Sequence, residues 1–184
     1  MAQTSPRCRP VSQRTAARCT DRIRNFCRNA YICRVFKAFE FCLPTTGTKV
    51  PAGAEWLHEI KYDGFRLRVE RDGDRVRLIT RGDYDWTKRY PWIVEAALKN
   101  RQKQFVLVYS LDGEAVILGV DGISDFNALH AGKNNHEVQL CAFDVLALGG
   151  EDLRDLPLSM RKTNLERLLR GRPDGIFVNL VQFV

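Results

Sequence analysis

Between positions 59 and 66 the chain reads Glu-Ile-Lys-Tyr-Asp-Gly-Phe-Arg, and this stretch constrains the fold more than any other. Residues 55–60 have the composition of an extended segment, and Asp63-Gly64 is a turn pair. Beyond the turn, Phe65, Leu67 and Val69 alternate with Arg66, Arg68 and Glu70, the period of a half-buried strand. Asp72-Gly73 predicts a hairpin, and residues 75–80 return as a third strand that ends at Arg81-Gly82. A lysine held at a strand end beside a glycine turn suits covalent nucleophilic chemistry, because glycine lets a phosphate approach the backbone. Lys-x-Asp-Gly alone arises by chance in roughly 0.04 of chains this long, so the later segments carry the argument.

Pro91 starts a helix expected to run to about Asn100, with Ile93, Ala96 and Ala97 on its apolar face. Residues 105–109 and 111–118 read as strands, interrupted or continued through Ser110. Ser124 is expected to cap a short helix through His130, and residues 138–148 form the longest strand candidate. Ser159 is expected to cap a helix through Arg170, with Leu165, Leu168 and Leu169 inward and Gly171 ending it. Residues 175–183 read as a last strand. Six or seven strands, mostly joined as hairpins, and three helices predict an α+β domain of antiparallel sheet with flanking helices.

Charge and cysteine divide the 184 residues in two. Residues 1–42 carry nine Lys/Arg against Asp21 and Glu40, whereas residues 43–184 carry twenty residues of each sign. The pI of about 9.3 therefore describes the tail, and the body is not by itself a basic nucleic-acid clamp. Five of the six cysteines lie in the same tail, none in a C-x-x-C pair, which leaves a zinc site unsupported. Three accounts of residues 1–42 stand open: a solvated arm touching nucleic acid through charge, an organelle transit peptide, and out-of-frame sequence. No apolar run approaches the ~18 residues of a membrane helix, and no Gly-x-x-x-x-Gly-Lys phosphate loop is present.

Four segments could carry chemistry. Lys61 sits in the first. Arg81 follows at the end of the third strand, where a guanidinium fork suits phosphate. Asp112-Gly113-Glu114 offers a carboxylate that accepts from hydroxyls and binds a hard cation. Phe143-Asp144 offers a flat ring for stacking. Taken singly, these are a hairpin turn, a solvated charge, a turn entering a strand and a core phenylalanine. His58, His130 and His136 share no metal-ligand spacing.

Taken together and in this order, from about Phe41 to the C-terminus, these segments resemble the ATP-dependent DNA ligases, with closest likeness to the ligase domains of bacterial end-joining proteins. Glu59, Lys61, Asp63, Gly64 and Arg66 match the family's Glu-x-Lys-x-Asp-Gly-x-Arg motif. The resemblance implies the N-terminal portion of an ATP-grasp-like adenylation domain over residues 43–184. It implies that Lys61 attacks the α-phosphate of ATP, releases pyrophosphate and holds AMP as a phosphoramidate. The AMP then passes to a 5′-phosphate of nicked or broken double-stranded DNA, and the 3′-hydroxyl displaces it. Glu59, Arg66, Arg81, Glu114 and Phe143 are implied as nucleotide-binding residues, with Glu114 on the ribose and on Mg²⁺ or Mn²⁺ and Phe143 stacked on adenine.

Lysine is nucleophilic only when neutral, and its unperturbed pKa lies near 10.4. Asp63 favours the ammonium, so desolvation, neighbouring arginines or a bound Mg²⁺ must supply the activation.

The family's Glu-Gly motif, Lys-x-Lys motif and OB-fold domain do not follow within residues 1–184. A truncated adenylation domain of doubtful activity is therefore expected, needing those parts for nick sealing. An RNA ligase or capping guanylyltransferase relative, and a non-catalytic nucleic-acid-binding remnant, stand as alternatives. A cytoplasmic, bacterial-type protein with reduced thiols and no membrane partner is expected.

Overall fold

The computed structural model describes Phe41, Gly53 and residues 56–99, 108–171, 174–179 and 181–182. The tail apart from Phe41 and the first part of the expected strand at 105–109 lie outside them. Among the described residues are eight strands and three helices. The strands are β1 (His58–Glu59), β2 (Phe65–Asp72), β3 (Arg75–Thr80), β4 (Val108–Val116), β5 (Gln139–Leu148), β6 (Glu151–Asp152), β7 (Ile176–Val178) and β8 (Val181–Gln182). The helices are α1 (Pro91–Leu98), α2 (Phe126–Ala131) and α3 (Leu158–Leu169).

The central sheet runs β3-β2-β4-β5-β6 with antiparallel neighbours, and β7 joins β5 in parallel. A separate antiparallel pair links β1 to β8, with His58 opposite Gln182 and Glu59 opposite Val181. The α+β class holds. The single strand expected over 175–183 is instead two short ones, β7 beside β5 and β8 beside the lysine-bearing segment. Of the two readings at Ser110, the continued strand is the one found, as β4.

Alternation along β2 places Leu67 and Val69 in the core, both fully buried. Leu111 and Ala115 of β4 and Leu140, Ala142 and Val145 of β5 complete that face. Ile93, Ala96 and Ala97 of α1 and Leu165, Leu168 and Leu169 of α3 cover it. Each fully buried leucine contributes about 1.5–3 kcal/mol of transfer free energy. Arg71 donates to the carbonyl of Ala97 at 2.5 Å, placing a cation at the C-terminal end of α1.

The ladder between β4 and β5 slips twice. Ser110 pairs with Ala147 but Leu111 with Val145, and Asp112 pairs with Asp144 but Gly113 with Ala142. The extra residues are Leu146 and Phe143, both on β5. Each bulge shifts the alternation by one, which lets Phe143 and Asp144 both leave the core face.

Two helix starts differ from expectation. Asp125, not Ser124, caps α2 by accepting from the Ala128 N–H at 2.9 Å. Helix α3 begins at Leu158 after Pro157, without a side-chain cap, and Ser159 lies inside it. The Ser124 hydroxyl is used elsewhere, accepting from the backbone N–H of Asp63 at 3.0 Å.

Candidate active site

Lys61 leaves β1 on an irregular segment that three contacts hold. The β1–β8 pairing fixes the approach. The carbonyl of Ile60 accepts from Asn179 Nδ2 at 3.0 Å, and the Asn179 backbone N–H donates to the Ala142 carbonyl at 2.8 Å. Ser124 holds the far side of the turn through Asp63. Gly64 is required there for a reason the sequence does not display. A Cβ at this position would lie 2.1 Å from the Ala115 carbonyl oxygen, so β4 leaves no room for a side chain.

Lys61, Glu59, Glu114 and Phe143 line one open cleft, with Tyr62, Cys141 and Asn179. The Lys61 side chain is half exposed, and its amine lies 3.5 Å from Asp63 Oδ1. Glu114 stands opposite Arg66 on β2 and Cys141 on β5. Glu114 reaches the cleft. Burial raises its carboxyl to about 7, against the pull of Arg66. Burial likewise pushes the Cys141 thiol up to about 12, so the wall it forms is a neutral thiol.

Arg66 stands behind the cleft rather than on its lining. It forks onto Asp112, Nε to Oδ1 at 3.0 Å and Nη2 to Oδ2 at 2.7 Å. Its guanidinium carbon lies 5.1 Å from the centre of the Phe143 ring and 5.6 Å from that of Phe41. Burial raises the Asp112 carboxyl, and the fork opposes that shift.

Arg81 is exposed at the turn after β3 and does not line the cleft. Tyr62 meets Phe177 edge to face at 5.9 Å between ring centres, and burial raises its hydroxyl.

Three residues outside the motifs, Arg161, Lys162 and Asn179, and one inside them given no role of its own, Asp112, also hold the site. Asp112 holds Arg66. Arg161 forks onto Asp144 at 2.9 and 3.0 Å. Lys162 donates to Glu59 Oε1 and to the Phe143 carbonyl. Asn179 ties Ile60 to β5. The helical pattern does carry a trace of Lys162. It lies three residues before Leu165 and seven before Leu169, on the apolar stripe of α3, and is only 6% exposed.

No group of three His, Cys, Asp or Glu residues able to hold a metal exists among the described residues. Of the two carboxylates lining the cleft, Glu59 is held by Lys162, which leaves Glu114 as the hard ligand and fits Mg²⁺ carried mainly by substrate phosphates and water.

A lysine, a half-buried carboxylate and an aromatic ring thus meet on one cleft of an α+β sheet. The sequence profile described as the ATP dependent DNA ligase domain matches residues 21–182, and the chain belongs to that family. The match reaches back to residue 21, into the segment that composition sets apart. The multifunctional non-homologous end joining protein LigD of Pseudomonas aeruginosa is 39% identical over 129 residues, covering 67% of this chain and 15% of the relative. A DNA ligase of Natronomonas pharaonis is 38% identical over 148 residues, covering 73% and 26%. In three dimensions the ligase domain of LigD from M. tuberculosis aligns with a TM-score of 0.57 and 30% identity, over 68% of this chain and 40% of that one. A mycobacterial DNA ligase D complexed with ATP and MES aligns with a TM-score of 0.56 over 68% and 39%. The chain thus spans well under half the length of each.

Proposed function

We propose that this chain carries out the adenylation step of an ATP-dependent DNA ligase, with Lys61 as the nucleophile and nicked or broken DNA as the later acceptor of AMP. The observation that carries the reading is the convergence of Lys61, Glu114 and Phe143 on one cleft.

The Phe143 ring offers the adenine a stacking face, backed by the Arg66 guanidinium. The Glu114 carboxylate accepts from ribose hydroxyls and is the protein's ligand for Mg²⁺. Arg81, exposed at the strand end, serves a phosphate of nucleotide or DNA. Mg²⁺, when bound, offsets charge on the triphosphate and its pyrophosphate leaving group. The Lys61 amine attacks the α-phosphorus, a phosphorus–nitrogen bond forms, the bond to the β-phosphate oxygen breaks, and pyrophosphate leaves. Asp63, 3.5 Å from the amine, receives the proton the amine gives up. A bacterial-type cytoplasm, which keeps Cys141 a thiol, completes the proposal.

The test is incubation with α-labelled ATP and Mg²⁺, with Lys61→Ala alongside. An acid-labile covalent AMP adduct that disappears in Lys61→Ala is expected. A folded chain that forms no adduct, or one whose adduct persists in Lys61→Ala, overturns the proposal.

A further inference from the structure

Bulging β5 at Phe143 has a cost that two adjacent residues of α3 meet. The bulge removes Phe143 from the β4 ladder, and a carbonyl freed inside the protein needs another donor. Lys162 supplies it. On the next residue of the bulge, Asp144 is gripped by both arms of Arg161, which also donates to the Leu156 carbonyl at 2.7 Å. Two consecutive residues of a rigid helix therefore hold two consecutive residues of an irregular strand.

Lys162 does more than fill the bulge. Its amine also donates to Glu59, 103 positions away in sequence and two residues before Lys61. The side chain is 8% exposed and that of Glu59 23%, so the pair sits largely out of water, where such a contact is stiff. One ammonium thus joins the strand that presents Lys61 to the strand that presents the Phe143 ring. Burying a lysine on the apolar stripe of a helix is unfavourable unless both partners are satisfied. A methionine would fill the same volume at lower cost if packing were the whole requirement.

We infer that Lys162 is a positioning residue for the adenylation site, setting the distance between the base-stacking ring of Phe143 and the lysine-bearing segment through its simultaneous contacts to the Phe143 carbonyl and Glu59. The inference rests on the function proposed above. It assigns Lys162 to nucleotide binding and not to the phosphoryl chemistry, because neither of its contacts is to the Lys61 amine. An arginine can replace it, since a guanidinium also donates to a carboxylate and a carbonyl at once. A methionine cannot.

The test compares Lys162→Met and Lys162→Arg in the full chain, both checked for folding by thermal melts, with two readings. The first is the fluorine NMR resonance of a para-fluorophenylalanine placed at position 143, without nucleotide. The second is the ATP dependence of lysyl-adenylate formation. Lys162→Met is expected to shift or broaden the resonance. It is also expected to raise the half-saturating ATP concentration by roughly tenfold or more, the scale of one lost charge-assisted hydrogen bond. The saturating rate should change by less than about threefold, and Lys162→Arg should return both readings toward the parent. An unchanged resonance and half-saturation in Lys162→Met overturn the inference, as does a fall in saturating rate with half-saturation unmoved. Should Lys162→Met not fold, Lys162→Gln carries the same readings. A parent that forms no adduct removes the proposed function, and the resonance alone then decides whether Lys162 positions Phe143.

Discussion

Arg66 faces Glu114 in the β2–β4 register yet reaches diagonally past it to Asp112, closing two hydrogen bonds of 3.0 and 2.7 Å. Asp112 is 2% exposed, so the motif arginine neutralises a buried carboxylate while its plane backs the Phe143 ring. Lysine carries the charge but not the fork. Arg66→Lys is expected to lower stability by about 1–3 kcal/mol, and Arg66→Ala by about 3–5 kcal/mol, because a buried charge is left without its partner. Urea unfolding measures both.

Gly64 tests whether the acceptor turn needs contact with β4. The added methyl of Gly64→Ala meets the Ala115 carbonyl oxygen, which belongs to a paired strand and cannot swing away. A loss of about 1–3 kcal/mol is expected from the overpacking, together with loss of the lysyl-adenylate. Retention of full adduct formation in Gly64→Ala would show that the turn moves freely.

Glu114 carries a pH dependence of defined sign. Its folded carboxyl titrates near 7 against an ordinary value of 4.5, so between those limits the folded state holds more protons than the unfolded one. Stability from this group is fully present below about 4.5, falls as pH rises toward 7 and is flat above. Glu114→Gln is expected to gain up to about 3 kcal/mol above pH 7 relative to the parent and nothing at pH 4. Denaturant unfolding without nucleotide at the two pH values checks this. Such a gain is what a carboxylate kept for binding at the expense of stability predicts.

Phe143 separates stacking from mere burial. Any flat ring serves for stacking, so Phe143→Trp is expected to keep the half-saturating ATP concentration within about threefold, while Phe143→Leu raises it about tenfold, one base–aromatic contact. The ATP dependence of adduct formation distinguishes the two. Equal behaviour of leucine and tryptophan would return Phe143 to a packing role.

Local signals were enough for much of this protein. Alternation from Phe65 to Glu70 is a property of neighbouring residues, so β2 and its hairpin to β3 were legible, as was the apolar face of α1. The expected caps failed for a physical reason. Ser124 and Ser159 are both good caps in isolation, but a cap also needs its backbone at the helix boundary, and packing set those boundaries at Asp125 and Pro157.

By itself the sequence determined the residue types of the candidate site and their order, because the lysine, the carboxylate and the ring each sit beside turns and strands that local pattern reveals. Only the tertiary structure decided how they meet. The register of β2 against β4 sets Arg66 opposite Glu114, and the slip against β5 turns Phe143 out of the core. The contact of Lys162 with Glu59 spans 103 positions and leaves no local pattern beyond a charge on an apolar stripe. Such pairs depend on where whole elements dock, and docking is settled by the summed burial of the core rather than by any short run of residues.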